Sequence, residues 1–193
     1  MTGCEIPLFP LNTVLFPGGL LPLRIFEQRY LGMAKDCLRD GTPFGVCLIR
    51  EGTEVGAPAT PEEVGCIARI VQWDMQQLGL LQVVARGERR FRILERRVQA
   101  DGLAHASIEE LPEEADAPVP QRFATCRRIL ERIAEEHGAR LFEQPPRLDS
   151  SAWVSARLVE ILPLPLAEKQ RLLETGSGLE RLEKVHALIS QQR

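Results

Sequence analysis

The uncharged segment Ile6-Pro-Leu-Phe-Pro-Leu-Asn-Thr-Val-Leu-Phe-Pro-Gly-Gly-Leu-Leu-Pro-Leu23 decides the fold of this chain. Its length and apolarity approach those of a membrane-spanning helix, which needs about 20 apolar residues. Its prolines exclude a helix, because each one inside a helix costs roughly 3 kcal/mol, and the Gly18-Gly19 pair adds to the cost. We therefore expect the segment to be extended, turned and buried against the rest of the protein.

The segment and the residues after it predict a strand, a strand and a helix. Leu8–Leu15 is predicted to be a buried strand and Phe16–Gly19 a turn, because proline presets φ and glycine accepts a positive φ. A second strand is predicted at Leu20–Ile25. From Glu27 the apolar residues recur at helical spacing, which predicts a helix that ends at Gly41.

Residues 44–108 predict a set of short strands separated by glycine turns. The compact apolar run Phe44–Ile49 is typical of a core strand, and the stretch Gly52–Pro61 is predicted to be a loop. Further strands are predicted at Gly65–Trp73, Leu80–Ala85, Arg90–Leu94 and Leu103–Ile108, with turns at Gly87-Glu88 and Asp101-Gly102. Closely spaced strands of this kind indicate a small barrel or sandwich.

The chain changes character at the acidic, proline-bearing stretch Glu109–Pro120, which is typical of a segment between domains. Beyond it the apolar residues recur at the spacing of helices. We expect a β-rich domain at residues 1–117 and a helical bundle at residues 118–193, which together make an α+β protein.

Four helices are expected in the second domain. The first has a packing stripe that runs from Phe123 to Leu141 and includes His137. A second is predicted to end before Pro163, and a short third one follows. Ser177-Gly-Leu-Glu180 has the spacing of a capping box at the start of the last helix.

Composition argues against several classes of protein. The 193 residues carry a net charge of -3, which provides no general attraction for nucleic acid or anionic lipid. Five cysteines, an odd number without a C-x-x-C pair, argue against a disulfide framework and a zinc site, and they are expected to be reduced apolar side chains. The N-terminal residues lack the charged start of a signal peptide, so the cytoplasm is the expected compartment.

The sequence contains no recognisable catalytic or cofactor motif. It has neither a phosphate-binding G-x-x-x-x-G-K-[ST] loop nor a G-x-S-x-G serine elbow, and its three histidines are far apart. We therefore expect no catalytic residues, no metal and no cofactor. A triad assembled across the fold is an alternative that the sequence leaves open.

Arginine is concentrated in residues 86–97, where six arginines have only Glu88 and Glu95 as acidic neighbours. Such a patch can bind phosphate or an acidic partner. The simpler interpretation is that strand alternation directs these side chains outward, with Phe91 on the opposite face, and that the acidic segment Glu109–Asp116 neutralises them.

The apolar residues of Leu8–Tyr30 also have two interpretations. Most are expected to be core, whereas some could line an exposed groove for an extended peptide. Extended chains add to open sheet edges, and apolar pockets then accept alternate side chains.

The segment from Ile6 to Gly18, with Leu21-Pro-Leu-Arg-Ile-Phe-Glu-Gln-Arg-Tyr30 after it, resembles the start of the Lon protease N-terminal (substrate-binding) domain. Later segments resemble that family in the same order, namely Phe44-Gly-Val46, Gly65–Ile70, Gly87–Arg92, Leu162–Pro165 and Gln170–Glu174. The resemblance spans nearly the whole chain and is closest to short standalone bacterial members.

This resemblance implies a β-rich, PUA-like pseudobarrel followed by a helical bundle. It also implies a non-catalytic module that binds proteins or peptides, without the ATPase and peptidase domains of the protease. Its expected partners are unfolded or extended protein segments and, beyond them, a protease or chaperone; neither a membrane nor a nucleic acid is expected, and the oligomeric state is left open. The candidate peptide-binding residues are Arg24, Glu27, Arg29 and Tyr30.

The PUA-like fold also implies a competing hypothesis, because related barrels bind RNA. In that case the basic residues Arg86, Arg89, Arg90 and Arg92 are the candidate contacts. Such binding would weaken steeply with salt.

Overall fold

A computed structural model describes residues 4–77 and 79–191. The chain divides into two compact units, Met1–Leu111 and Pro112–Arg193. The first consists of strands and one helix, and the second consists of helices. The α+β architecture predicted from periodicity is thereby confirmed.

The described residues of the first unit, here called the barrel unit, form seven strands. They are β1 Cys4–Leu11, β2 Leu20–Ile25, β3 Phe44–Glu51, β4 Thr60–Pro61, β5 Val64–Gln77, β6 Leu80–Val98 and β7 Ala104–Glu110. Neighbours run in the order β1-β7-β6-β5-β3, and a parallel pairing of β1 with β3 closes the ring. β2 is added beside β6 and β4 beside β3, and all pairings except β1 with β3 are antiparallel.

β6 corrects one sequence prediction. The turn expected at Gly87-Glu88 does not exist, because a single 19-residue strand runs through it. Gly87 instead lies against the Phe16–Gly19 turn. Gly87 N donates to Gly19 O at 2.9 Å, and Gly18 N donates to Gly87 O at 2.8 Å. A Cβ at residue 87 would meet Phe16 O at 2.3 Å, so this position needs glycine for close backbone approach rather than for a turn.

The predicted turn at Phe16–Gly19 is confirmed. Gly19 N donates to Phe16 O at 2.9 Å, and Gly18 has φ 72°, as a turn with Pro17 followed by glycine requires. The second strand has the predicted bounds, Leu20–Ile25, whereas the first ends at Leu11, earlier than expected. The predicted helix is also present, as α1 Gln28–Asp40, with Gly41 as its left-handed cap at φ 65°.

Two apolar clusters fill the barrel unit. One joins α1 to the sheet and includes Tyr30, Leu81 and Val83. The other surrounds Phe91, which has no exposed surface. A Cβ at residue 65 would lie 2.8 Å from Phe91 Cζ, so a glycine there leaves the space that the ring occupies.

The second unit, here called the helical unit, begins with a short 3-10 helix, Gln121–Phe123. Four helices follow, α2 Ala124–Leu141, α3 Ser151–Ile161, α4 Leu166–Glu174 and α5 Gly178–Gln191. α3 is the most buried, and Ser150 Oγ caps its start by accepting from Trp153 N at 3.0 Å. The predicted cap at Ser177 is also present, with Glu180 N donating to Ser177 Oγ at 3.4 Å.

The predicted packing stripe on α2 is correct only in part. Phe123, Cys126 and Leu130 are buried, as expected. His137 and Leu141 are exposed, so the expectation that they pack is wrong. Helical spacing identifies a possible face but not how far along the helix a neighbouring element covers it.

A buried ion pair lies inside the helical unit. Arg181 is 1% exposed and forms a two-point contact with Glu114, with Nη1 donating to Oε1 at 2.8 Å and Nη2 donating to Oε2. Its Nε also donates to Ser155 Oγ at 3.0 Å. Part of the acidic segment expected to neutralise strand arginines therefore pairs with a helix residue instead.

Candidate functional site

The hairpin of β5 and β6 extends beyond the closed ring. β3 pairs with β5 only up to Ala68, so residues 69–77 of β5 pair with β6 alone among the described residues. β2 lies on the other side of residues 81–86 of β6. We call this three-stranded section, made of residues 20–25, 69–77 and 80–86, the hairpin end.

A groove of about 540 Å³ crosses the hairpin end. Its lining takes residues from all three strands, namely Pro22, Leu23, Arg24, Gln72, Trp73, Asp74, Gln82, Val83 and Val84. Arg24 and Asp74 are the charged residues in this lining, so the groove is close to neutral. A neutral, partly apolar groove favours uncharged or weakly charged ligands.

Trp73 is the most exposed large apolar residue in the groove lining. The register places Leu23 and Trp73 on either side of Val83, so the three side chains share one face of the sheet. Val83 is 3% exposed because the α1 cluster covers it, whereas Trp73 is 61% exposed. The cover therefore ends between β6 and the outer part of β5.

Other exposed apolar side chains occur in or directly after the strands of the hairpin end. Met75 follows on the same strand, and Phe26 directly follows β2. Both are exposed, Phe26 at 55%. A hairpin tip is ordinarily polar, so apolar residues there indicate an interaction surface rather than a folding requirement.

The opposite face of the hairpin end carries polar groups. The register aligns Arg24, Gln82 and Asp74 in one row across the three strands. Pro22, Val84 and Gln72 form the next row. Along each strand, residues on this face alternate with residues on the Trp73 face, as the pleat of a strand requires.

The four residues predicted to bind peptide differ in their surroundings. Arg24 is exposed and lines the groove, and Glu27 is half-buried. Arg29 and Tyr30 are buried, so in this structure they lie behind the surface rather than at its rim. Sequence reasoning could not separate these cases, because Arg24 to Tyr30 includes both the end of a strand and the start of a helix.

Arg29 and Tyr30 hold α1 to its surroundings. Arg29 pairs with Glu27 at 2.9 Å, donates from Nη1 to Gly102 O at 3.2 Å and lies 4.8 Å from the Tyr30 ring centroid. Tyr30 stacks on Phe9, with ring centroids 4.1 Å apart. Burial raises the pKa of the Tyr30 phenol above its usual value.

The candidate basic residues do not form a continuous positive surface. Arg90 is buried, and Arg86 lies 3.5 Å from Glu88, which also binds Arg69 at 3.0 Å. Arg89 pairs with Glu110 at 3.0 Å, while Arg92 is exposed. The expected neutralisation by the acidic stretch is therefore found at Arg89, and Glu88 offsets Arg86, which lowers the attraction for a polyanion.

Most of the cysteines are buried as packing residues. Four cysteines are buried, Cys4 is exposed, and none forms a disulfide. Burial raises the pKa of the Cys47 thiol to about 12, which disfavours the thiolate that nucleophilic catalysis needs. In the described ranges 4–77 and 79–191, no three His, Cys, Asp or Glu side chains are grouped to hold a metal ion.

Sequence analysis did not select Trp73, Phe26 or Met75. The available signal was the sequence Trp73-Asp-Met75 at the end of a predicted strand, where a polar turn was due. Exposure is what distinguishes these residues from core residues, and it depends on where α1 ends its cover of the sheet.

Comparison with known proteins identifies the family. The model of the ATP-dependent protease La (LON) substrate-binding domain matches residues 5–191. The chain belongs to the Lon substrate-binding domain family. This match covers the substrate-binding part of that protease and confirms the resemblance found in the sequence.

Members of the Lon family and their structures resemble the chain over most of its length. The chain is 28% identical to the Lon protease of Anaeromyxobacter dehalogenans (strain 2CP-C), over 97% of its own length and 23% of that protein. It spans about a quarter of the curated relatives it matches. The crystal structure of a Lon N-terminal domain protein from Xanthomonas campestris is 35% identical, with a TM-score of 0.78, and covers 95% of this chain and 98% of that one.

A more distant structure shares the fold. The N-terminal domain of Mycobacterium avium complex Lon protease has a TM-score of 0.62 at 20% identity, over 94% of this chain and 96% of that one.

Of the helices that the structure describes in this chain, none is both long enough and apolar enough to cross a membrane.

Proposed function

We propose that this chain binds extended, non-native protein segments at the hairpin end and does not cleave them. The observation that carries this proposal is the exposed Trp73 beside a nearly neutral groove. The family adds support, because the part of Lon that it resembles is described as substrate-binding. Unfolded chains differ from folded ones in presenting apolar side chains along an extended backbone, which is what this surface suits.

The energy available fits reversible capture. Covering the exposed part of a tryptophan is worth roughly 2–4 kcal/mol, and Phe26 and Met75 add smaller amounts. Affinities of this size allow many different segments to bind and to be released. Arg24, from the predicted set, lies at the polar side of the same groove, while Glu27, Arg29 and Tyr30 support the helix behind it.

The proposed role places the chain in the cytoplasm, beside a protease or chaperone that would process the captured segments. Its relatives named Lon protease are about four times longer, so their proteolysis is not carried over to this chain. Burial raises the pKa of the Cys37, Cys47 and Cys126 thiols, which disfavours their use as nucleophiles.

Binding to reduced, carboxymethylated α-lactalbumin, a permanently unfolded protein, tests the proposal. Fluorescence anisotropy should show saturable binding to the labelled unfolded protein and none to the native one. Trp73→Ala should weaken binding by at least about thirtyfold, because roughly 2 kcal/mol or more of apolar contact is lost. A gel of the mixture after prolonged incubation should show the probe intact.

Leu94→Ala is the matched control. Leu94 is also a large apolar residue on a strand and is 57% exposed, but it lies outside the hairpin end. Its removal should leave binding unchanged. Absence of binding by the unmodified chain, equal losses in both variants, or cleavage of the probe would each overturn the proposal.

A further inference from the structure

The face of the hairpin end opposite the Trp73 side chain, here called the polar face, carries more hydrogen-bond donors than acceptors. An arginine side chain only donates, a glutamine amide donates and accepts, and an ionised aspartate only accepts. Arg24, Gln72 and Gln82 supply the donors, and all three line the groove. Among the described residues of this lining, Asp74 is the acceptor-only side chain.

The donors and the acceptor of the polar face are engaged differently. Asp74 already interacts with another group of the chain. By contrast, no hydrogen bond or ion pair joins the side chains of Arg24, Gln72 or Gln82 to another residue within 4–77 and 79–191, and all three are exposed. The groove therefore offers N–H donors to an occupant, and it suits one that is rich in acceptors.

The charge and the width of the groove narrow the choice of occupant. Arg24 and Asp74 lie in the same row of the sheet, so an anionic occupant is attracted by one and repelled by the other. The groove crosses three strands, which span about 10 Å, two strand spacings. A polyproline II helix rises about 3.1 Å per residue, so one turn of three residues spans this width.

A proline-bearing segment in the polyproline II conformation is a neutral occupant that is rich in acceptors. It has no internal hydrogen bonds, so its carbonyl oxygens are available to donors, and its prolines have no N–H that needs an acceptor. Its conformation is preformed, so it loses little entropy when it binds. A β-strand presents donors and acceptors in equal numbers, and many of its N–H groups would lack a partner in this groove.

We propose that the hairpin end binds proline-bearing segments in the polyproline II conformation. This inference rests on the proposed function and names the class of segment that is captured. Carbonyl oxygens of the segment accept from Arg24, Gln72 and Gln82, and its proline rings cover Val84. Where the segment leaves the groove at the β5 edge, it meets the exposed indole of Trp73. Polyproline II is also a major conformer of unfolded chains, so the same contacts hold non-native segments of other sequences.

An uncharged proline peptide tests this inference on the unmodified chain by isothermal titration calorimetry. The peptide repeats Pro-Pro-Leu four times, with an acetylated and an amidated end. It should bind at least fivefold more tightly than an uncharged Val-Thr repeat of the same length, which favours strands. Equal or tighter binding of the Val-Thr peptide would overturn the inference, and so would tighter binding of an acidic Glu-Glu-Leu repeat.

Two substitutions of the same kind test the donors. Gln82→Glu replaces amide N–H groups with an acceptor inside the groove, whereas Gln77→Glu makes the same change at an exposed position of β5 outside the groove lining. The proline peptide should bind at least fivefold more weakly to the Gln82→Glu variant, because a donor is lost and two acceptors then face each other. Its affinity for the Gln77→Glu variant should change less than twofold. Equal affinities for the two variants, with both folded by circular dichroism, would contradict the inference.

The outcomes separate the two proposals. If unfolded α-lactalbumin binds in a Trp73-dependent manner but the Val-Thr peptide binds as well as the proline peptide, the polyproline II mode is wrong and the proposed function stands. If the unfolded protein does not bind the unmodified chain, the proposed function fails, and the inference fails with it.

Discussion

The two edges of the hairpin end differ in a way that sequence composition alone does not show. Both belong to the same three strands and both border the same groove. β2 has a proline at the centre of its outer edge, whereas β5 has Trp73 and a complete backbone there. An edge that lacks its central backbone donor and an edge that keeps all its donors thus lie about 10 Å apart, two strand spacings, in one sheet.

The rest of the barrel unit shows why the open edge is informative. The ring β1-β7-β6-β5-β3 closes on itself, and β4 covers part of β3. Closure removes edges that would otherwise pair with other chains. The part of β5 beyond Ala68 lies outside that closure, and it carries three exposed apolar side chains, Val71, Trp73 and Met75.

The largest expected effect comes from a substitution at Gly87, where β6 approaches the turn that precedes β2. Gly87→Ala places a Cβ 2.3 Å from Phe16 O, a backbone atom that cannot move away alone. We expect a loss of unfolding free energy of about 3 kcal/mol, measured by urea denaturation followed by circular dichroism.

Gly32→Ala is the control for that substitution. Gly32 lies on the exposed side of α1, and its added Cβ would meet nothing within 4 Å. Stability should rise by about 0.5–1 kcal/mol, because alanine favours a helix. A loss as large as that of Gly87→Ala would show that the close approach of Gly87 is not the cause.

Salt distinguishes the peptide hypothesis from the RNA hypothesis. Binding that uses Trp73 and backbone hydrogen bonds should change less than threefold between 50 and 200 mM salt, whereas contacts to several phosphates would lose about a thousandfold or more. The measurement is a titration of unfolded α-lactalbumin and of single-stranded RNA at both concentrations. Tight, steeply salt-dependent RNA binding that Arg92→Ala weakens would favour the basic residues instead.

Pro22→Ala sharpens the comparison with a small effect. It restores one outward donor to β2, but that edge has no exposed tryptophan beside it. Binding of the unfolded probe should strengthen by less than about twofold, well within 1 kcal/mol. A tenfold gain would show that the missing donor alone separates the two edges.

Alkaline pH should weaken the cluster that supports both edges. The pKa of Tyr30 is raised by burial, so its folded-state pKa exceeds the unfolded value of about 10. Its contribution to stability is complete below that pH and is lost as pH rises through the folded pKa. Tyr30 is the only tyrosine, so tyrosinate absorbance follows it directly, and Tyr30→Phe should remove this part of the alkaline loss.

Much of the fold could be predicted from local sequence. The Phe16–Gly19 turn, the Leu20–Ile25 strand and the cap at Gly41 each follow from residues that fix the backbone locally. Gly87 was misinterpreted, because glycine marks both turns and close backbone approach, and only the position of a distant turn distinguishes them.

The candidate site was less accessible to sequence reasoning. Arg24 was selected and does line the groove, but Trp73 was not, because its exposure depends on the extent of the α1 cluster. The open edge at Trp73 depends on the hydrogen-bond direction of the strands. That direction follows from the Gly87 hydrogen bonds together with the registers of β2, β5 and β6, which the sequence does not show.

Hydrogen exchange with and without unfolded α-lactalbumin tests the central claim most directly, since it compares the two edges in one experiment. In the chain alone, the Trp73 amide should exchange quickly. Gly87 bonds to the β2 side of β6, and alternation along the registers then directs the Trp73 N–H away from β6. Addition of the probe should slow exchange at Trp73 and leave Leu20–Ile25 unchanged. Protection of β2 or of the helical unit, with Trp73 unaffected, would contradict the account.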